Sequence, residues 1–261
     1  MTWKIIMIGS GNVATILGRK ILAAGHTILQ VFGRRELHAK ALANEFVCGY
    51  TSSWAGIDRD ADLYIAALSD QALTEMAAQL TLPGKFIVHT AGAVPMNILQ
   101  PVSPRCGVLY PLQSLSTEVA APVEIPLLLD AGNTQDLGLL DEFARTCSPL
   151  VRRADDTTRL KLHVAAVFVN NFTNHLHVLT ERYCREEGMD FRLLLPLIHE
   201  TASRLEETSP QLLQTGPAAR NDLETVKRHL SQLEPYPEMR NIYEIMTGSI
   251  QRLAERHGKS R

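Results

Sequence analysis

The turn Gly9-Ser10-Gly11-Asn12-Val13-Ala14 constrains this chain more than any other stretch. An apolar run at 4–8 precedes it. A stretch at 12–24 follows with Val13, Ile16, Leu17 and Ile21 at helical spacing, then a second apolar run at 27–32. Gly25 stands where such a helix would stop. Strand, helix and strand within about 30 residues make a βαβ unit, which favours a parallel sheet. In that setting each small residue of the GxGxxA pattern has a task. Gly9 permits the tight turn, Gly11 lets a pyrophosphate approach the backbone, and Ala14 lets helix and strand pack closely. The phosphates then meet the free N–H groups and positive end of the helix, next to Ser10, Asn12 and Val13. Without a strand before it and a helix after it, the same pattern reads only as a tight turn.

Apolar runs at 63–68, 86–90, 107–110 and 125–130 continue the alternation. From Asp156 the pattern becomes helical almost to the end. One long helix is expected over about 158–186, stopped by Gly188. Asp190 caps another, bent at Pro196. Ser209-Pro210 is an N-cap and first-turn pair, and Asn221 with Glu224 forms a capping box. A last helix runs over 238–256. We therefore expect an α/β chain with a Rossmann-type parallel sheet over 1–152 and an all-helical domain over 153–261.

Composition removes several classes. With 45% hydrophobic and 21% charged residues in 261, the chain is neither disordered, collagenous nor a coiled coil. Lys and Arg total 26 against 28 Asp and Glu, so no basic field points to nucleic acid or an anionic membrane. The apolar runs are too short to span a bilayer, and Met-Thr-Trp-Lys enters the first strand with no room for a signal peptide. Cys48, Cys106, Cys147 and Cys184 lie far apart, with no CxxC pair and no metal spacing to a histidine. They read as reduced thiols packed as small hydrophobes in a cytoplasmic protein.

The end of the second apolar run separates the two nicotinamide dinucleotides. NAD enzymes place Asp or Glu there for the ribose hydroxyls. Here Phe32-Gly33-Arg34-Arg35 offers two guanidiniums, which suit the 2′-phosphate of NADP. The competing reading of Arg34 and Arg35 is a solvated pair of loop charges. Leu68 and Ser69 end the next run and join the cofactor-binding set, with Asp70 capping the helix that follows. His89-Thr90-Ala91-Gly92 ends another run. Ligands of open α/β sheets lie beyond the carboxyl ends of strands, so Thr90 and Ala91 should border the nicotinamide. His89 itself also reads as a buried core residue.

These motifs, with Tyr110-Pro111-Leu112-Gln113-Ser114, the stretch from Leu162-His163 to Asn170-Asn171-Phe172, and Thr215-Gly216-Pro217-Ala218-Ala219-Arg220-Asn221-Asp222 with Thr225 and His229, resemble one family nearly throughout. It comprises the bacterial Rossmann-like NADP oxidoreductases with a helical C-terminal domain of unknown function. Wider relatives are pyrroline-5-carboxylate reductases, 6-phosphogluconate dehydrogenases and deazaflavin-dependent NADP reductases. The resemblance implies NADP binding and a helical substrate or dimerisation domain, hence a homodimer by analogy, but no substrate. Two positions depart from the family pattern. Tyr110 stands where the family often has His, and Asn221 where it has Gly.

Hydroxyacid dehydrogenases of that superfamily use Lys and Asn one helical turn apart on the long helix, whereas Lys161 here has Ala165 four residues on. Another polar line is present instead. At roughly 100° per residue, His163, Asn170, Asn174, His177 and Glu181 fall along one side, with Phe168, Phe172, Leu176 and Leu179 opposite. The bland reading is an ordinary polar face. The functional reading makes His163 a proton donor, Asn170 a substrate-positioning group and Arg220 the binder of an anionic substrate group. The expectation is an NADP-dependent oxidoreductase of a small polar carbonyl or imine. Its rivals are an NADP(H)-binding redox sensor or scaffold without turnover, and an imine reductase of the pyrroline-5-carboxylate type.

Overall fold

The computed structural model describes residues 2–118 and 124–258. Among the described residues, eight strands form one sheet in the order β3-β2-β1-β4-β5-β6-β7-β8. They are β1 (Lys4–Ile8), β2 (Thr27–Phe32), β3 (Gly49–Thr51), β4 (Leu63–Ala66), β5 (Phe86–His89), β6 (Cys106–Pro111), β7 (Leu127–Ala131) and β8 (Val151–Arg153). Pairing is parallel except between β6 and β7. Strand order reverses beside β1, where β4 starts the second half. That is the switch point at which sheets of this type leave a crevice.

The helices that accompany the sheet among the described residues are α1 (Asn12–Ala23), α2 (Glu36–Phe46), α3 (Asp70–Gln79) and α4 (Thr134–Cys147). The periodicity read in α1 has a direct packing counterpart. Ala14, Ile16, Leu17 and Ile21 are buried in a core that includes Ile5, Met7, Ile28 and Val31 of the sheet. Each fully buried Leu or Ile contributes about 1.5–3 kcal/mol. Gly25, at φ 83, ends the helix as its position implied, its N–H bonding to the Leu22 carbonyl. Trp3 and Phe143 close the far side of this core with ring centroids 5.4 Å apart.

The helical elements that follow are α5 (Asp156–Ala166), a π-helical stretch Val167–Phe172, α6 (Thr173–Glu186), α7 (Leu195–Ser203), α8 (Pro210–Leu213), α9 (Leu223–Gln232) and α10 (Pro237–Gly258). By packing, the chain divides into two compact units, Met1–Asn171 and Phe172–Arg261. The all-helical run thus begins near Asp156 as expected, while α5 packs as part of the first unit.

Several expectations need correction. The helix expected over 158–186 is not one α-helix, because the π-helical stretch widens its turns and breaks the 100° phase. Phe168 and Phe172, placed opposite the polar line, are exposed. The sheet gains β3 and β8, too short for a periodic signal, and β7 runs antiparallel to β6. Pro196 does not bend a helix but lies in the first turn of α7, where its missing N–H costs no intrahelical bond. Asp70 is not the cap of α3; Ser69 takes that position and Asp70 lies in the first turn. Asn221 is no capping-box residue. It takes a left-handed φ of 56, and the Asp222 side chain caps α9 by accepting the Thr225 N–H. Among the described residues no helix is long and apolar enough to cross a membrane.

Candidate active site

The crevice at the switch point is built from backbone. Gly9 has φ 130, a conformation L side chains rarely adopt, and a Cβ there would collide with the Ala67 carbonyl after β4. Its N–H bonds to the Phe32 carbonyl at 2.8 Å, joining the first turn to the end of β2. Gly33 interlocks with the same turn, since a Cβ on it would come 2.7 Å from Ser10 Oγ. Gly11 differs from both. It is the extended N-cap of α1, makes no side-chain cap bond, and has nothing within 4 Å of where a Cβ would stand. The first turn of α1 holds no acidic residue. Ser10, Gly11, Asn12 and Val13 therefore surround an open helix N-terminus, which fits a pyrophosphate. Thr117 donates its hydroxyl proton to Asn12 Oδ1 across 3.1 Å at this mouth.

Arg34 and Arg35 are exposed beyond β2. Arg34 Nη1 lies 2.7 Å from Glu75 Oε2 on α3, while Glu75 Oε1 accepts from Gln71 Nε2 at 3.2 Å. This guanidinium is held toward α3, on the side of the sheet where Leu68 and Ser69 end the β4 segment. Leu68 is half-buried and Ser69 exposed.

At the end of β5 the backbone is secured from beneath and above. The Thr90 N–H bonds to the Ala66 carbonyl, and His89 Nδ1 accepts the Ala91 N–H at 3.2 Å. His89 is fully buried. Burial first, and the Arg159 charge second, push its proton affinity down to about 4, so it is neutral at physiological pH and no proton donor. From above, α5 holds the 92–96 loop at three successive positions. The Asp156 carboxylate accepts the Met96 N–H, Arg159 donates to the Val94 carbonyl, and His163 lies over Gly92. Arg159 is 1% exposed and pairs with Asp156 at 2.8 Å, its Nε and Nη1 unpartnered.

His163 Nδ1 and the Tyr110 hydroxyl are 2.9 Å apart, their rings edge to face with centroids at 5.9 Å. Tyr110 comes from the C-terminal end of β6 and is 9% exposed. Burial raises the proton affinity of its phenol, and the Arg159 charge opposes that rise. Both rings line a cavity of about 490 Å³ with Gln113, Ser114, Asn170 and Asn171. The structure thus brings His163 and Asn170 together within the first unit. The π-helical stretch, which supplies Asn170 and Asn171, is a common local distortion at functional sites.

Arg220 belongs to the second unit and is exposed there. Its loop carries Gly216 at φ 103 and borders a cavity of about 240 Å³ lined by Thr215, Pro217, His229 and Tyr243. His229 Nδ1 lies 2.9 Å from the Tyr243 hydroxyl.

Spacing and strand-end arguments do not place Tyr110 or Arg159 in the site, and they place Gly92 only as part of the turn after His89. Tyr110 entered only within a family motif. The available signal was that Arg159 and His163 lie one helical turn apart and that glycine follows directly on the His89-Thr90-Ala91 strand end.

Residues 4–92 match the family described as NADP oxidoreductase, coenzyme F420-dependent, and residues 125–250 match a domain of unknown function. No curated protein matches the sequence. The structure solved as putative NADP oxidoreductase BF3122 from Bacteroides fragilis is 38% identical, covers 96% of this chain and 98% of its own, and superposes with a TM-score of 0.89. A reductive aminase from Aspergillus terreus, solved with NADPH and ethyl levulinate, is 17% identical over 99% of this chain and 95% of its own, at a TM-score of 0.73. A 1-pyrroline-5-carboxylate reductase from Streptococcus pyogenes is 13% identical over 96% and 98%, at 0.62. The last two share the fold.

Proposed function

This chain belongs to the NADP oxidoreductase family that joins an F420-dependent-type NADP domain to a helical domain of unknown function, and on that premise we propose that it reduces a small polar carbonyl or imine compound. Its dinucleotide is NADP. Gly9, Ser10, Gly11, Asn12 and Val13 would hold the pyrophosphate at the N-terminus of α1, and Arg34 and Arg35 the 2′-phosphate. Leu68 and Ser69 would form the crevice wall, and Thr90 and Ala91 would border the nicotinamide. When bound, NADPH supplies the hydride; the chain's own residues orient the partners and manage the proton.

His163 holds that proton beside the 90–92 turn, and Asn170 orients the substrate through hydrogen bonds. The observation that carries this reading is the position of His163. It packs on Gly92, at the end of the strand where the nicotinamide should lie, and faces a cavity large enough for a small metabolite. An open cavity is what turnover requires, whereas a sensor needs none. The scattered free cysteines fit the cytoplasm. The many exposed apolar side chains of the second unit, among them Leu193, Leu197, Leu212 and Ile245, fit a homodimer.

The test is a screen of small carbonyl and imine compounds, cyclic imino acids included, that follows NADPH absorbance, with His163→Ala as control. Oxidation of NADPH by the unmodified protein, and a slower oxidation with an altered pH dependence in the variant, are expected. A protein that binds NADPH but turns over none of these classes would defeat the proposal.

A further inference from the structure

We propose that Tyr110 is the catalytic acid of this site and that His163 acts through it, as the relay that returns the proton. This rests on the reductase reading above and deepens it. The geometry singles out the pair. Among the described residues that line the cavity, these are the two proton-carrying side chains in direct hydrogen-bond contact, at 2.9 Å. Tyr110 stands at the end of β6, adjacent in the sheet to β5, whose continuation is the 90–92 turn.

Gly92 leaves the space in which the two rings meet. A Cβ on it would meet His163 Nδ1 at 2.7 Å and Tyr110 Cζ at 2.9 Å. Gly92 has no left-handed φ, so its backbone does not call for glycine. The absent side chain is explained by the two rings that occupy its space. Arg159, one turn before His163 and almost wholly buried, adds a permanent positive charge that opposes the cost of a phenolate. Burial meanwhile keeps the phenol protonated at neutral pH, as a donor must be.

The proton path balances. As hydride adds to the substrate carbon, its oxygen or nitrogen becomes basic. The Tyr110 O–H bond breaks and the proton joins that atom. The proton on His163 Nδ1 then passes to the phenolate oxygen, and the imidazole is reprotonated from water. One hydride from NADPH and one proton from solvent are consumed per substrate. For delivery, Nδ1–H must donate to the phenol oxygen, leaving the phenol O–H directed at the substrate.

Two measurements on the full-length protein test this separately from the choice of substrate. The first needs no turnover. Tyrosines are carbon-labelled at the ring carbon bearing oxygen, the Tyr110 signal is assigned with Tyr110→Phe, and the protein is titrated. The Tyr110 signal should show an inflection where His163 takes up its proton, and His163→Gln should abolish it. A Tyr110 signal indifferent to His163→Gln overturns the relay. The second measurement is kinetic. Tyr110→Phe should lower kcat by about a hundredfold or more, with NADPH Kd unchanged within about twofold. His163→Gln should move the pH profile of kcat rather than abolish it. If Tyr110→Phe reduces substrate at nearly the normal rate, the acid is another group, although the reductase reading stands. If no carbonyl or imine is reduced by the unmodified protein, that reading fails, and the titration still decides whether the pair is coupled.

Discussion

His163 lies so close above Gly92 that the missing methyl of this glycine is a structural requirement of the site. Gly92→Ala should push the imidazole away from the Tyr110 hydroxyl, since the added methyl would meet both rings at under 3 Å. Overpacking of this kind costs about 1–3 kcal/mol. We expect a folded protein with a lower Tm and reductase activity down by at least tenfold. Normal activity in a folded Gly92→Ala protein would show that the contact is dispensable.

The two glycines of the first turn should part company. Gly11→Ala finds open space and should leave Tm nearly unchanged, while weakening NADPH by at least tenfold, about 1.4 kcal/mol, because the methyl occupies the pyrophosphate approach. Changing Arg34 and Arg35 together to Ala should remove most of the preference for NADPH over NADH and leave NADH binding alone. Calorimetric titration measures both. Equal affinity of the unmodified protein for the two dinucleotides would remove the assignment of the arginine pair.

A third expectation concerns acid. Burial and Arg159 lower the proton affinity of His89 to about 4, against an ordinary value of about 6.5 in an unfolded chain. The unfolded state therefore gains this proton first. Stability from this group is complete above about 6.5, declines as pH falls from there to about 4, and levels off below. His26, buried and also shifted downward, acts in the same direction. Denaturant midpoints across this window should fall less steeply in His89→Asn than in the unmodified protein. Equal slopes would assign the acid sensitivity to other groups.

Two helical glycines predict opposite signs for one substitution. Gly138, exposed in α4, has nothing near the site of a Cβ, so Gly138→Ala should stabilise by about 0.5–1 kcal/mol. Gly18 in α1 has the Phe46 ring where the Cβ would stand, so Gly18→Ala should destabilise by about 1–3 kcal/mol. Thermal unfolding of both variants reads the pair, and a gain at both positions would contradict the packing described.

For the homodimer, sedimentation at micromolar concentration should find two chains. Leu197→Glu on an exposed apolar position of the second unit should shift the population toward one. A stable interface buries about 1,200–2,000 Å² in total. A single-chain species at every concentration would rule the assignment out.

The order β1, α1, β2 and the Gly9 turn were legible because strand alternation, helical spacing and the glycine's task all point the same way over consecutive residues. Gly25 and Gly188 were legible for the same local reason, and both have positive φ. The capping of α9 was misread by one residue, because Asn221 and Asp222 are both good cap types and only the left-handed turn at Asn221 decides between them. The Tyr110–His163 pair was not legible. Its members are 53 residues apart, on a strand and a helix whose register is set by tertiary packing. The π-helical stretch was equally hidden, since its residues have no composition that separates them from an α-helix.

The outermost strand, β8, has a consequence for how this molecule can meet its own kind. Of its three residues, Val151 is buried, while Arg152 and Arg153 are exposed at the margin of the sheet. A second sheet docking edge to edge would have to strip water from both guanidiniums, one of which leans toward Asp130 at 3.9 Å. Charged, short margins of this kind protect against runaway strand pairing. The opposite margin, β3, is also only three residues long and begins with glycine. The short margins at both ends of the sheet therefore disfavour a continuous sixteen-stranded sheet between two copies.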